Sequence, residues 1–153
     1  MRLTWRQKAN ERYWDALSAV DDSTRFSEFT RDLERPCQYR GRRVRALHPF
    51  QADDHQLLQA VHRGEFLIRG FRNRDLQLLL YAPVSPNSPL SLKEKRRRSA
   101  AISRKLRILR GHGLIQKVPK THRYQVTSHG RLAITAILTM DRTSLALLNK
   151  AAA

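Results

Sequence analysis

The sequence predicts a mainly α chain with one small β-hairpin, an α+β fold, on three observations. Apolar residues recur at three- and four-residue spacing in six segments, the spacing that lines one face of a helix. Ser91-Leu92-Lys93-Glu94 opens the longest of these as a capping box. Beyond it the pattern changes to strand-like in Leu114-Ile115-Gln116-Lys117-Val118 and Tyr124-Gln125-Val126, around a polar loop. A chain of 153 residues with 41% hydrophobic composition can bury one ordinary core. We divide it into a helical appendage with a basic linker (1–48) and a main domain (49–150).

In order, Thr4 is placed to cap a helix over 5–20 carrying Trp5, Ala9, Tyr13, Ala16, Leu17 and Val20, ended by Asp21-Asp22-Ser23. A second helix covers 24–34, with Phe26, Phe29 and Leu33 on one face and Pro36 as its stop. Residues 39–47 are too charged for a core strand and read as a basic linker or edge strand. Asp53 or Asp54 is expected to cap a helix with Leu57, Leu58 and Val61, closed by Gly64 in a left-handed conformation. Phe66-Leu67-Ile68 reads as a short strand. Asn73 then caps a helix over 74–81 with Leu76, Leu79 and Leu80 inward, and Pro83, Pro86 and Pro89 impose an extended turn. The third long helix runs from Leu92 to about Gly111, stopped by Gly111-His112-Gly113. Thr127 or Ser128 caps the last helix, which reaches about Asn149.

Charge narrows the partner. The formal net charge is +17, and residues 92–123 alone hold twelve Lys or Arg against one acidic residue. With a pI near 11.4 the chain favours polyanions. Its longest apolar stretches, 78–82 and 134–138, fall far short of the roughly 20 residues a membrane span requires. Met1-Arg2-Leu3-Thr4-Trp5-Arg6 runs straight into an amphipathic segment, which reads as no signal peptide and a cytoplasmic location. The single cysteine, Cys37, permits no intramolecular disulfide and reads as a small half-buried or buried residue. Six histidines form no ligand-spaced set, and no phosphate loop, nucleophile elbow or carboxylate pair is visible. No metal, cofactor or enzymatic activity is expected.

From Asp53 the order is helix, short strand, helix, turn, helix, strand, basic loop, strand, helix. Within it, Ile102-Ser103-Arg104-Lys105-Leu106-Arg107-Ile108-Leu109-Arg110-Gly111-His112-Gly113-Leu114-Ile115 leads into Thr121-His122-Arg123-Tyr124-Gln125-Val126-Thr127-Ser128-His129-Gly130. Across about Asp53 to Met140 this resembles a winged helix-turn-helix domain. In that family the third helix ends in Gly, the following pair opens the wing, and Thr-x-x-Gly starts the next helix. The turn between the second and third helices departs from the pattern, since about nine residues with three prolines stand where the motif uses three or four. The segment from Arg63 to Leu76 is also similar to the C-terminal winged-helix portion of longer bacterial proteins.

The resemblance implies double-stranded DNA binding, in a transcriptional regulator or a mobile-element accessory factor. On the third helix Ile102, Leu106 and Leu109 face inward. Opposite them lie Lys93, Arg97, Ala100, Arg104 and Arg107, with Arg96 and Ser103 at the side, a face that can enter a major groove. The wing adds Lys117, Lys120, His122 and Arg123 as backbone contacts, and Arg40, Arg42, Arg43 and Arg45 are an expected arm. The plainer alternative is a solvated charged face, which would want acidic partners one turn away; the sequence reads as lacking them. Ile134, Ile137, Leu138, Leu145 and Leu148, together with the first helix, are the expected homodimer surface. Trp5, Tyr13, Trp14, Phe26 and Phe29 read as core or subunit contacts rather than base-stacking rings. Two other readings stay open: an RNA or ribonucleoprotein-binding module, and a protein-interaction subunit of a larger nucleic-acid assembly.

Overall fold

The computed structural model describes residues 26–142 of the chain. The expected helix over 5–20, the side chains of Phe26 and Phe29, and Leu145 and Leu148 lie outside the described residues. The elements are α1 (Phe26–Leu33), β1 (Cys37–Tyr39), β2 (Arg42–Val44), α2 (Ala52–Val61), α3 (Gly64–Arg69) and α4 (Asn73–Leu80), followed by α5 (Leu92–Gly111), β3 (Ile115–Lys117), β4 (Tyr124–Val126) and α6 (Ser128–Arg142). Among the described residues the fold is thus mainly helical, with its strands in two antiparallel hairpins, β1–β2 and β3–β4.

One apolar core draws on all six described helices and on β3 and β4. Leu57, Leu58 and Val61 of α2, Leu76 of α4, Ile102 and Leu109 of α5, and Ile134 and Ile137 of α6 are fully buried around Phe71 and Leu114. Burying each such side chain stabilises the fold by about 1.5–3 kcal/mol. Leu33 and Leu47 belong to the same cluster, and the Leu47 amide donates to the Leu33 carbonyl at 2.8 Å. The chain from α1 onward is therefore sewn into the core.

Packing overturns several expectations drawn from local pattern. Phe66-Leu67-Ile68 is helical, as the centre of α3, and not a strand. Three consecutive apolar residues fit either state, and here the extended residue is Phe71, which exchanges both backbone hydrogen bonds with Tyr124 (2.9 and 2.8 Å) and forms an isolated antiparallel bridge to β4. Gly64 is not a left-handed stop but the first residue of α3, entered through Arg63. Neither Asp53 nor Asp54 caps α2: Gln51 occupies that position, and Asp54 turns inward with 2% of its surface exposed. Asn73 is likewise displaced as cap by Arg72, whose amide donates to Asp75 Oδ2 at 2.7 Å. Leu79 is 38% exposed rather than inward, because Leu76 already fills the contact with α2 and α5. Ile134, Ile137 and Leu138 are spent on the chain's own core, at 0, 0 and 5% exposure, so they supply no dimer face. Of the two readings of residues 39–47, linker or edge strand, the strand holds, since they contain most of the β1–β2 hairpin.

The ends of α5 follow from its sequence. Ser91 caps it, its Oγ accepting from the Glu94 amide at 3.2 Å. The Glu94 carboxylate does not complete the capping box but reaches forward to Arg97 and Arg98. At the other end the Leu114 amide donates to Leu109 and the Gly113 amide to Arg110, the two bonds of a Schellman motif, with Gly113 at φ 72°. Leu114 is thereby driven into the core and the chain leaves as β3. Thr127 then closes the unit. Its hydroxyl donates to the Gly113 carbonyl at 2.6 Å and accepts from the Gly130 amide at 2.9 Å. A Cβ on Gly130 would overlap the Leu114 carbonyl, so this position tolerates only glycine.

Candidate nucleic-acid interface

Three elements present the cations: α5, β1–β2 and β3–β4. The β1–β2 hairpin lies along the C-terminal half of α5, where Gly111 leaves space for Val44 and the half-buried Cys37. β3 continues from the same end of the helix, so the two hairpins flank α5.

The cations divide by whether the fold already uses their charge. Arg45 is committed. Its two terminal nitrogens reach both Asp54 oxygens at 2.7 and 2.8 Å, and the His48 amide donates to the same carboxylate at 2.9 Å. Burial alone would raise the Asp54 pKa, but the Arg45 fork, the His48 amide and nearby Lys105 outweigh it and hold the carboxyl below its usual range. The Arg45 guanidinium is correspondingly raised, first by its hydrogen bond to Asp54. His112 Nε2–H donates to the Arg45 carbonyl at 3.0 Å, tying the end of α5 to this strut.

Of the residues expected at the interface, Lys93, Arg96 and Arg104 on α5, and Lys117, Lys120 and His122 on or beside the β3–β4 hairpin, are exposed and make no ion pair among the described residues. Arg107 is half-buried on the border between two grooves. The others have prior engagements. Ser103 Oγ accepts from Asn73 Nδ2 at 3.0 Å, a contact that also reaches the Ser99 carbonyl and sets α5 against α4. Arg123 donates to the Arg69 carbonyl at 3.2 Å, at the end of α3.

Arg97 pairs with Glu94 at 3.2 Å and Arg98 with the same carboxylate at 3.4 Å, which corrects the expectation that the helix lacks acidic partners. The correction is small in energy. Arg97 remains 77% exposed, and surface pairs of this type contribute about 0–1 kcal/mol, so a phosphate can displace the carboxylate. Arg98 is instead held over the Tyr81 ring, 4.8 Å from its centroid, anchoring the proline-containing connection to α5.

Two grooves run beside α5. One lies between β2 and the helix and is lined by Arg43, Arg45, Arg104, Lys105 and Arg107. The other lies under the two hairpins and includes Tyr39, Arg40, Arg42, Arg107, Arg110 and Tyr124. Sequence reasoning missed Tyr39, Arg110 and Tyr124 as parts of the surface. The available signal was Arg40-Gly41, an X-Gly pair between two three-residue segments, which marks a tight hairpin turn.

Among the described residues, no group of His, Cys, Asp or Glu could hold a metal ion, and no helix is long and apolar enough to cross a membrane. No protein-family model matches the chain, and no curated protein or solved structure is significantly similar to it.

Proposed function

We propose that this chain is a winged-helix protein that binds double-stranded DNA, with α5 as the recognition helix and β3–β4 as the wing. The observation that carries this reading is the outer face of α5, where Lys93, Arg96 and Arg104 are exposed without an anion among the described residues. Such a helix fits the width of a major groove, and cations held on a rigid element release counterions from phosphates on contact. The Asn73 contacts to Ser99 and Ser103 support the reading, because a helix locked to its neighbour presents its face without a further ordering cost.

In this arrangement Lys93, Arg96, Arg97 and Arg104 meet the groove and its phosphates, Arg107 reaches the edge, and Lys117, Lys120 and His122 lie along the backbone. Arg123 contributes mainly by holding the wing to α3. Its role in the cell, as a regulator or a mobile-element accessory factor, turns on sequence selectivity.

Retention of pooled genomic DNA fragments at about 200 mM salt tests it, since purely phosphate-driven binding has fallen by orders of magnitude there. Enrichment of one motif supports a sequence-reading protein. Stronger retention of an RNA duplex of matched length would overturn the DNA assignment.

A further inference from the structure

The described chain has two residues other than glycine in the left-handed backbone region, Arg40 (φ 50°) and Lys120 (φ 59°). Both are cations, and each stands at the tip of one hairpin. Arg40 and Gly41 (φ 72°) form the two-residue turn that joins Tyr39 to its partner Arg42, a turn whose first position is ordinarily Asn, Asp or Gly. Lys120 sits in the loop closed by the Val118 amide donating to the Arg123 carbonyl at 2.9 Å. A long cationic side chain in a conformation that costs it energy points to work done by the charge.

The two tips belong to one feature. Arg40 and Lys120 line the same open trough, floored by Tyr39, Arg110 and Lys117. The guanidinium of Arg110 lies 5.2 Å from the centroid of Tyr39 and 5.9 Å from that of Tyr124, bridging the hairpins, while Arg40 lies 5.5 Å from the same Tyr39 ring. Aromatic faces thus hold two like charges in place. None of Arg40, Arg110, Lys117 and Lys120 has a carboxylate partner among the described residues. Four positive groups around an open trough, two of them held by aromatic rings and none paired with an anion among the described residues, are complementary to a run of phosphodiesters.

We infer that the trough between the two hairpin tips is a second phosphate-binding site, in which β1–β2 acts as a second wing and grips the backbone of duplex DNA beside the segment read by α5. The inference rests on the duplex-DNA reading and deepens it. The site adds affinity and orientation through backbone contacts, which fix the duplex in place and carry no sequence information of their own.

The test uses the full chain and a duplex of about 20 base pairs, with binding followed by fluorescence anisotropy across a salt series. Arg40→Gly combined with Lys120→Gly removes both tip charges and at the same time relieves both left-handed positions, so this variant should melt no lower than the parent. We expect the slope of log K against log salt to shrink by about 2, so that between about 50 and 200 mM salt its affinity changes roughly tenfold less than the parent's. The comparison variant, Arg97→Ala with Arg104→Ala, should lose binding on the α5 face. An unchanged slope in R40G/K120G, alongside lost binding in R97A/R104A, overturns the second site and leaves the duplex-DNA reading standing. Failure of the parent protein to bind any DNA duplex overturns both.

Discussion

Arg45 and Arg104 line the same groove, yet only one of them has its charge spent. Arg45 is clamped to a carboxylate that is 2% exposed, whereas Arg104 faces outward with no anion among the described residues. The difference is one of desolvation. Asp54 could enter the core only with a fork of donors to replace its water, so Arg45 holds the fold together, while Arg104 retains its hydration and is free to exchange it for a partner. In a chain of net charge +17 this separates cations that build the surface from cations that use it.

The largest expected effect comes from breaking the first kind. Arg45→Met leaves Asp54 buried with only the His48 amide as a direct donor, and should destabilise the protein by about 2–3 kcal/mol, the lower side of the usual range because the Arg45 side chain is 48% exposed. A melting temperature lower by about 10 °C is the corresponding signal. An unchanged melt would mean that the pair is ornamental and that the comparison fails.

Arg97→Ala with Arg104→Ala tests the second kind. Thermal stability should stay within about 0.5 kcal/mol of the parent, as for surface positions generally, while duplex-DNA affinity falls by about two orders of magnitude at moderate salt. Anisotropy and a thermal melt on the same preparation separate these outcomes. Unaltered affinity in a folded double variant would remove α5 from the interface.

Acid titration sharpens the comparison through its sign. The folded-state pKa of Asp54 is depressed, so the pair's contribution is fully present above the unfolded carboxylate value of about 4 and is lost as pH falls through the lower folded value. In Arg45→Met the cost of burying the charge should prevail and place the folded pKa above the unfolded one. That variant should then lose stability as pH rises through about 4 to 5 instead of losing it on acidification. Urea midpoints between about pH 3 and 6 report the inversion, and parallel profiles for the two proteins would refute it.

How much of this was legible in the sequence depends on whether the signal was local. Helix α5 and the β3–β4 hairpin were, because Ser91 caps, Ile102, Leu106 and Leu109 repeat at helical spacing, and Gly113 supplies the left-handed residue at the helix end. The Arg45–Asp54 strut was not, since an Asp ahead of an apolar run looks the same whether it caps a helix or enters the core against an arginine nine residues earlier. The β1–β2 hairpin was hidden by its shortness and by a turn with Arg40 in place of the usual Asn or Asp. Ile134 and Ile137 read as surplus apolar surface only because the number of elements closing over them, α1 and α2 included, cannot be seen from α6 alone. Of the candidate interface, the α5 cations were visible as a face, but the prior engagements of Ser103 with Asn73 and of Arg123 with Arg69 depend on partners 30 and 54 residues away.

The smallest expected effect concerns a group that lies between the two kinds. His62 follows α2 with its Nε2 at 3.5 Å from the Thr135 hydroxyl, and its pKa is lowered first by burial and then by repulsion from Arg131 and Arg142 on α6. A histidine whose folded pKa lies below its unfolded value of about 6.5 contributes stability that is complete above that value. The contribution is lost as pH falls below it, because the unfolded chain takes up the proton more readily. The parent should therefore weaken as pH falls below about 6.5, and His62→Gln should flatten the profile there. Salt then apportions the cause. Raising ionic strength screens the repulsion from the two arginines but leaves the effect of burial untouched, so a slope that persists at about 1 M salt belongs to desolvation. A slope that disappears would place His62 with the solvent-facing charges.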